Sequence, residues 1–358
     1  VVAFGVERRS WCSRSGLDAD LRSELRAIYW FVIAMGVSGD IPGFMRVKAA
    51  LSVAFIATLA FPTSCSSEPV DEQPALKSQV QAMSDRFLEL WNQGDADGLS
   101  KLFAEDGVRV ISGDQIPSAG RDAIKDSFVR GMEKHRSSSE TKLVSEIANA
   151  VDLGGDIVLA EGSFTLSDKE DAQLLGGKWG CVYRKSKGGL EILMESAHVA
   201  EDTLSEPIDY SKIKREKPSG EVDSGNAAEY LGAMNQIIET YGDGIKAGDA
   251  AMIASTFTEG GIQLVSSSAK AHRGRKEIAA AQEAVLPASG HSGMALTGQV
   301  LRQRKISDSL VVANGLWQIA GEDGVLVDFG QWGNLMQIQP DGSLKMLMES
   351  AGGYHVPQ

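Results

Sequence analysis

Leu193–Ala197 reads "LMESA", and the same five residues return at Leu347–Ala351, 154 positions later. Each copy sets an acidic side chain inside an apolar run, in a stretch with strand character. Strict alternation puts Leu190, Ile192, Met194, Ser196 and His198 on one face of the first copy. Glu191, Leu193, Glu195 and Ala197 take the other. The second copy alternates likewise, with Leu344, Met346, Met348 and Ser350 against Lys345, Leu347, Glu349 and Ala351. The Leu/Ile/Met face is expected to meet the helices, since a one-residue change of register would expose all of it. Glu195 and Glu349 are then expected on the outer face.

The offset extends well beyond the pentapeptide. "QGDADGLSKLFAEDG" (Gln93–Gly107) lies over "AGDAAMIASTFTEGG" (Ala247–Gly261), and "GRDAI" at Gly120 over "GRKEI" at Gly274. With a slip of one residue, "DIVLAEG" at Asp156 meets "SLVVANG" at Ser309, and Trp179-Gly180 meets Trp332-Gly333. So many ordered matches at one period mark an internal duplication.

Each copy carries the same element pattern. Leu76, Val80, Met83, Phe87, Leu90 and Trp91 recur at helical spacing, as do Leu231, Met234, Ile238, Tyr241 and Ile245. Gly94-Asp95 and Gly248-Asp249 follow these helices, Gly suited to a left-handed stop and Asp to capping the next helix. A short second helix, a strand and a third helix come next, then β-rich stretches near 140–150, 155–166, 176–185 and 190–199 and their counterparts. Helices first and a meander later predict an α+β layer fold, repeated. The predicted organisation is a first domain over 76–200, a polar linker over 201–226 and a second domain over 227–355.

The net charge is −13. An acidic body repels phosphate, which sets nucleic acid aside as a partner. Cys12, Cys65 and Cys181 are dispersed, so neither a metal site nor a disulfide framework is indicated, and no cofactor is expected. From Met45 the chain reads "MRVKAALSVAFIATLAFPTSCSSEP": a basic start, an apolar run and then small polar residues. That layout over 45–65 predicts a signal peptide and an exported protein, periplasmic or at the cell surface. Thr63-Ser64-Cys65 resembles a bacterial lipoprotein processing site, with Cys65 as the lipidated residue, although Pro62 stands where Leu is usual. Cleavage near Ser66 without lipid is the alternative. Residues 1–44 are then expected outside the mature protein and 66–75 as a tether, the membrane being met only through such an anchor.

"FLELWNQGDADGLSKLFAEDGV" followed by "GRDAI" resembles the opening of the nuclear-transport-factor-2-like superfamily, with its SnoaL-like and ketosteroid-isomerase-like members. The resemblance covers both repeats. It implies two tandem cone-shaped half-barrels, each with about three N-terminal helices packed on a curved, mostly antiparallel sheet. It also implies a pocket at each cone's wide end, with Phe87, Trp91, Ile111 and Trp179 in one and Tyr241, Val265 and Trp317 in the other. Ketosteroid isomerases use an Asp base and an oxyanion hole of Tyr plus protonated Asp. Mapped from the shared Gly-Asp, the base position falls on Ile111 and Val265, the Tyr position on Phe87 and Tyr241, and the second acid near Gly180 and Gly333. Neither Ile nor Val moves a proton.

The expectation is therefore a non-catalytic module whose apolar hollows bind a small apolar molecule or a protein partner. An enzyme of cyclase or isomerase kind, acting through the second domain, is the alternative. Tyr241 and His198 are the catalytic candidates; a lone inward His is more often a hydrogen-bonded wall residue. Glu195 and Glu349 are expected at a sheet-to-sheet seam between the copies, or as solvated carboxylates left from the duplication. A carboxylate or His within hydrogen-bond reach of Tyr241 would favour the enzyme.

Overall fold

Both copies place a long helix across the hollow of a six-stranded sheet. The computed structural model describes residues 72–136, 141–204, 209–218, 220–289, 293–321 and 323–354. The signal peptide, Cys65 and residues 1–44 lie outside the described residues.

The first copy runs α1 (Glu72–Gln93), α2 (Ala96–Ser100), β1 (Phe103–Ile111), β2 (Ser118–Ala119), α3 (Arg121–Arg136), β3 (Lys142–Asp152), β4 (Ile157–Ser167), β5 (Gln173–Ser186) and β6 (Gly189–Val199). The second repeats it as α4 (Leu231–Ala247), α5 (Ala250–Ser255), β7 (Phe257–Val265), β8 (His272–Arg273), α6 (Gly274–Ser289), β9 (Ala295–Lys305), β10 (Leu310–Ala320), β11 (Leu326–Ile338) and β12 (Leu344–Gly353). Strand order is β2-β1-β6-β5-β4-β3 in one sheet and β8-β7-β12-β11-β10-β9 in the other. The pairs β1/β6 and β7/β12 are parallel, and the remaining pairs antiparallel.

The Gly-Asp punctuation works as its chemistry dictates. Gly94 and Gly248 adopt φ of 71° and 67°, where a Cβ would strain the backbone. The next carboxylates cap the short helices: Asp95 Oδ1 accepts from Gly98 N at 2.8 Å, and Asp249 Oδ1 from Met252 N at 2.9 Å. Helix and sheet then close over Val80, Leu90, Phe103, Phe128 and Ile192 in the first copy. Met234, Phe257, Ile278, Trp332 and Met346 fill the corresponding core of the second.

A further core lies between the two sheets. Val108, Val110, Leu159, Val182, Leu193 and Met194 of the first copy pack against Ile262, Leu264, Leu310, Val312, Leu335 and Met348 of the second. The copies thus pack face to face as an internal pseudo-dimer, and the contacts repeat in both directions. Ser196 Oγ donates to Ser350 O at 3.4 Å, and Ser350 Oγ to Ser196 O at 3.5 Å. Gly180 faces Met348, and Gly333 faces Met194.

The repeated pentapeptide departs from strict alternation. Val182 pairs with Met194 but Tyr183 with Ile192, so Leu193 is an extra residue bulged out of β6. In β12, Leu335 pairs with Met348 and Met336 with Met346, leaving Leu347 as the extra residue. A bulge sends two consecutive residues to one side and inverts the faces beyond it. Leu193 and Met194 both enter the seam. Met194, Ser196 and His198 therefore face the other copy rather than their own helices. Glu195 and Glu349 point into the cones, which corrects the expectation that they stand at the seam or in solvent.

The segment after β6 also departs from expectation. The described parts of this polar linker are docked on the second copy. Tyr210 packs edge-on against Phe329 with centroids 5.5 Å apart, and the Arg215 guanidinium lies 5.0 Å from the centre of the same ring. Asp223 forms a bridge with Arg302 that extends the edge of β9.

Candidate functional site

The hollow of the first cone is a cavity of about 180 Å³. Helix α1 contributes Met83, Phe87 and Trp91, and the sheet contributes Ile111, Phe164 and Trp179. Four of these six are pocket residues proposed from sequence.

One wall is polar, and its groups form a chain. Arg109 of β1 donates through Nε to Glu195 Oε2 of β6 at 2.9 Å. Its Nη1 donates to Ser127 Oγ at 2.6 Å, and Ser127 Oγ donates to Asp114 Oδ2 at 2.5 Å. Arg130 Nη2 closes the chain on Asp114 Oδ2 at 3.2 Å. The series runs from side chains less than a tenth exposed, Arg109 and Glu195, to the half-exposed Arg130 at the rim. Phe128 covers the Arg109 guanidinium at 4.0 Å from the ring centre, a cation–π contact. Burial pushes the Glu195 carboxyl up, and the Arg109 guanidinium opposes that rise. Cys181, next to it in the wall, is a buried thiol held protonated by desolvation.

The second cone carries a different polar centre at the equivalent positions. Gln263 stands where the first copy has Arg109, and Tyr241 where it has Phe87. Gln263 Nε2 donates to Glu349 Oε2 at 2.8 Å and to Tyr241 Oη at 3.2 Å, while Tyr241 Oη donates to Glu349 Oε2 at 3.4 Å. Gln282 Nε2 completes the group on Gln263 Oε1 at 3.0 Å. Burial raises the Glu349 carboxyl to about 7, against the pull of Gln263 and Tyr241, and burial likewise raises the Tyr241 phenol. Ionisable side chains thus converge in both cones. This overturns the expectation of wholly apolar hollows and puts a carboxyl within hydrogen-bond reach of Tyr241.

The remaining candidates are placed as follows. His198 is 1% exposed, at the seam, with Ser112 Oγ at 3.2 Å from Nδ1 and Ser196 Oγ at 3.0 Å from Nε2. Gly352, its counterpart by the repeat, packs against the imidazole. Burial, with Lys178 nearby, lowers the ring's pKa to about 3, so His198 is neutral, and it is not among the residues that line the first cavity. Trp317 packs on the helix side of the second sheet and donates through Nε1 to Gln331 O at 3.2 Å. Val265 ends β7 opposite Ala351. Arg273 pairs with buried Glu161 across the seam, and Arg275 with Glu259 at 2.6 Å. Among the described residues no His/Cys/Asp/Glu group could hold a metal ion.

Sequence reasoning missed Arg109, Ser127 and Asp114. They lie on β1, the turn after it and α3, and no local motif links them.

The two cones also differ at the wall that α1 or α4 closes. Leu88 and Ser145 line the first cavity. Gly242 and Gly298 occupy their places in the second. A Cβ on Gly242 would stand 2.9 Å from Leu296 O, and one on Gly298 2.6 Å from Ile238 Cγ2. Helix α4 therefore lies closer on β9 than a side chain at either position would permit.

Two tandem α+β half-barrels, each with a polar centre inside the cone, define the class of fold. No family model and no curated protein matches the chain. Solved structures similar to one copy carry the cystatin-like or NTF2-like fold. One is a domain of unknown function with a cystatin-like fold from Nostoc punctiforme (16% identity, 35% of this chain, 76% of that one, TM-score 0.31). Another is a ketosteroid isomerase-like protein from Erwinia carotovora atroseptica (16% identity, 36% and 96% of the two chains, TM-score 0.29). A third is an NTF-2-like protein of unknown function from Shewanella oneidensis (16% identity, 34% and 98%, TM-score 0.29). At these values the likeness carries no argument on function.

Proposed function

We infer that the first cone binds a small, mostly apolar molecule bearing one uncharged hydrogen-bonding group. The observation that carries this reading is the cavity of about 180 Å³, with aromatic and aliphatic walls and one polar strip. Concave, largely apolar sites with a few convergent polar groups suit small-molecule binding. Along the strip Glu195 and Asp114 are matched by Arg109 and Arg130, so a charged ligand would find no uncompensated partner. The signal-like sequence at 45–65 supports placing this module outside the cytoplasm, with Cys65 as the anchor where lipidation occurs.

Native mass spectrometry of the purified chain tests the binding. A retained small molecule is expected, and Ala197→Leu, which adds volume inside the cavity, should abolish its retention. An empty wild-type chain, or equal retention by the variant, rejects the reading.

A second reading rests on the Tyr241–Glu349 pair. A buried carboxyl near 7 in reach of a phenol suits proton transfer at neutral pH. Deuterium exchange at the α-carbon of a small cyclic ketone, lost in both Tyr241→Phe and Glu349→Gln, would favour this enzyme. Exchange unaltered by either change sinks it.

A further inference from the structure

The rim of the first cavity is held in part by the other copy. Ile111, Ser112, Gly113 and Asp114 line the cavity as the chain leaves β1. Asp114 holds the polar strip together, since its Oδ2 accepts from both Ser127 and Arg130. Its backbone carbonyl, however, accepts from Gln331 Nε2, on β11 of the second copy. Gln331 is 1% exposed, and its donor has crossed the seam to reach this one carbonyl.

The next residue is held as well. Gln115 donates through Nε2 to Lys214 O at 3.0 Å and accepts through Oε1 from Glu216 N at 2.7 Å. Arg215, between those two, turns to the second copy, where it bonds Gln318 and covers Phe329. Asp114 at the rim and Gln115 next to it are thus tied to the second cone, one directly and one through the docked connecting segment.

The pseudo-symmetry argues that this is a built contact. At the mirror position Lys178 of β5 donates through Nζ to Ser268 O, and Ser268 is the repeat equivalent of Asp114. Both turns, one per copy, are therefore held by a donor from the opposing sheet, Gln331 on one side and Lys178 on the other. The turns' hydroxyls match too: Val199 N donates to Ser112 Oγ and Gly353 N to Ser266 Oγ, each at 3.3 Å.

We propose that the second cone is the positioning scaffold for the first cone's cavity, with Gln331 and Gln115 as positioning residues that set where Asp114 stands. The ligand-binding unit is then the pair of cones and not a single one. The effect on affinity rests on the binding reading above; the effect on the rim does not.

The test uses the full chain, N-phenyl-1-naphthylamine as an uncharged fluorescent probe, and hydrogen exchange across 112–117. Gln331→Leu removes the donor, whereas Gln331→Lys supplies the donor type used at the mirror position. Loss of one buried hydrogen bond predicts roughly tenfold weaker probe binding and faster exchange across 112–117 in Gln331→Leu. Both should be restored in Gln331→Lys. Wild-type affinity and exchange in Gln331→Leu, or no rescue by Lys in a chain that melts like wild type, overturns the proposal. If the wild-type chain takes no probe, the binding reading has failed. Exchange at 112–117 then decides the positioning role by the same comparison. Should Gln331→Leu not fold, Gln115→Ala carries the test, with faster exchange expected and unchanged exchange overturning it.

Discussion

Arg109 Nε stands 2.9 Å from Glu195 Oε2 inside the first cone, and both side chains are less than a tenth exposed. Removing one member of such a pair strands the other charge in a dry site, at a cost of about 3–5 kcal/mol. Arg109→Met is therefore expected to lose that much in denaturant unfolding, while Arg109→Met combined with Glu195→Leu recovers most of it. Equal losses in the single and double variants would show that the pair is not the source.

Glu349 gives the protein a pH dependence of known sign. Its folded pKa, about 7, lies above the 4.5 of an exposed glutamate, so the folded state binds more protons between those values. Stability falls as pH rises from about 4.5 to about 7, by the order of 3 kcal/mol, and stays reduced above that. Asp328, which burial also raises to about 7, adds a slope of the same sign. Glu349→Gln should flatten the fall and be the more stable protein at pH 8; chemical denaturation across that range measures it.

His198 acts in the opposite direction. The neutral buried ring has a folded pKa near 3 against an ordinary 6.5, so below 6.5 the unfolded chain takes the proton. Stability is fully present above that value and is lost as pH falls towards 3, by the order of 5 kcal/mol. His198→Gln is expected to melt less steeply with acid. An unchanged acid limb in thermal scans would place the sensitivity elsewhere.

The seam predicts a difference between equivalent glycines. A Cβ on Gly180 would lie 2.4 Å from Met348 Sδ and 2.9 Å from Leu264 Cδ1. On Gly333 the nearest atom, Val110 Cγ2, is at 3.0 Å. Overpacking a filled core costs about 1–3 kcal/mol. Gly180→Ala should lie near the upper end and Gly333→Ala near the lower, as read from unfolding midpoints.

Residues 72–354 show which features a linear reading reaches. The Gly-Asp stops, the apolar helix faces and the strand spans are local consequences of backbone sterics and side-chain periodicity, so the duplication and both α+β halves were legible. Phe87, Trp91, Ile111 and Trp179 were named from the family resemblance laid over those elements, and all four line the first cavity. Glu195 was misplaced because one bulged residue, Leu193, inverts every face after it. Arg109, Ser127 and Asp114 come from three separate stretches and acquire meaning only when folding brings them together.

By itself, then, the amino-acid order determined two copies of one α+β unit, since helix and strand periods and turn residues act over a few positions. Tertiary structure alone decided which way each repeated Glu points, that the connecting segment is docked, and that a side chain of one copy bonds the rim of the other's cavity. Those outcomes depend on contacts between residues 86 and 217 positions apart, which no local period encodes.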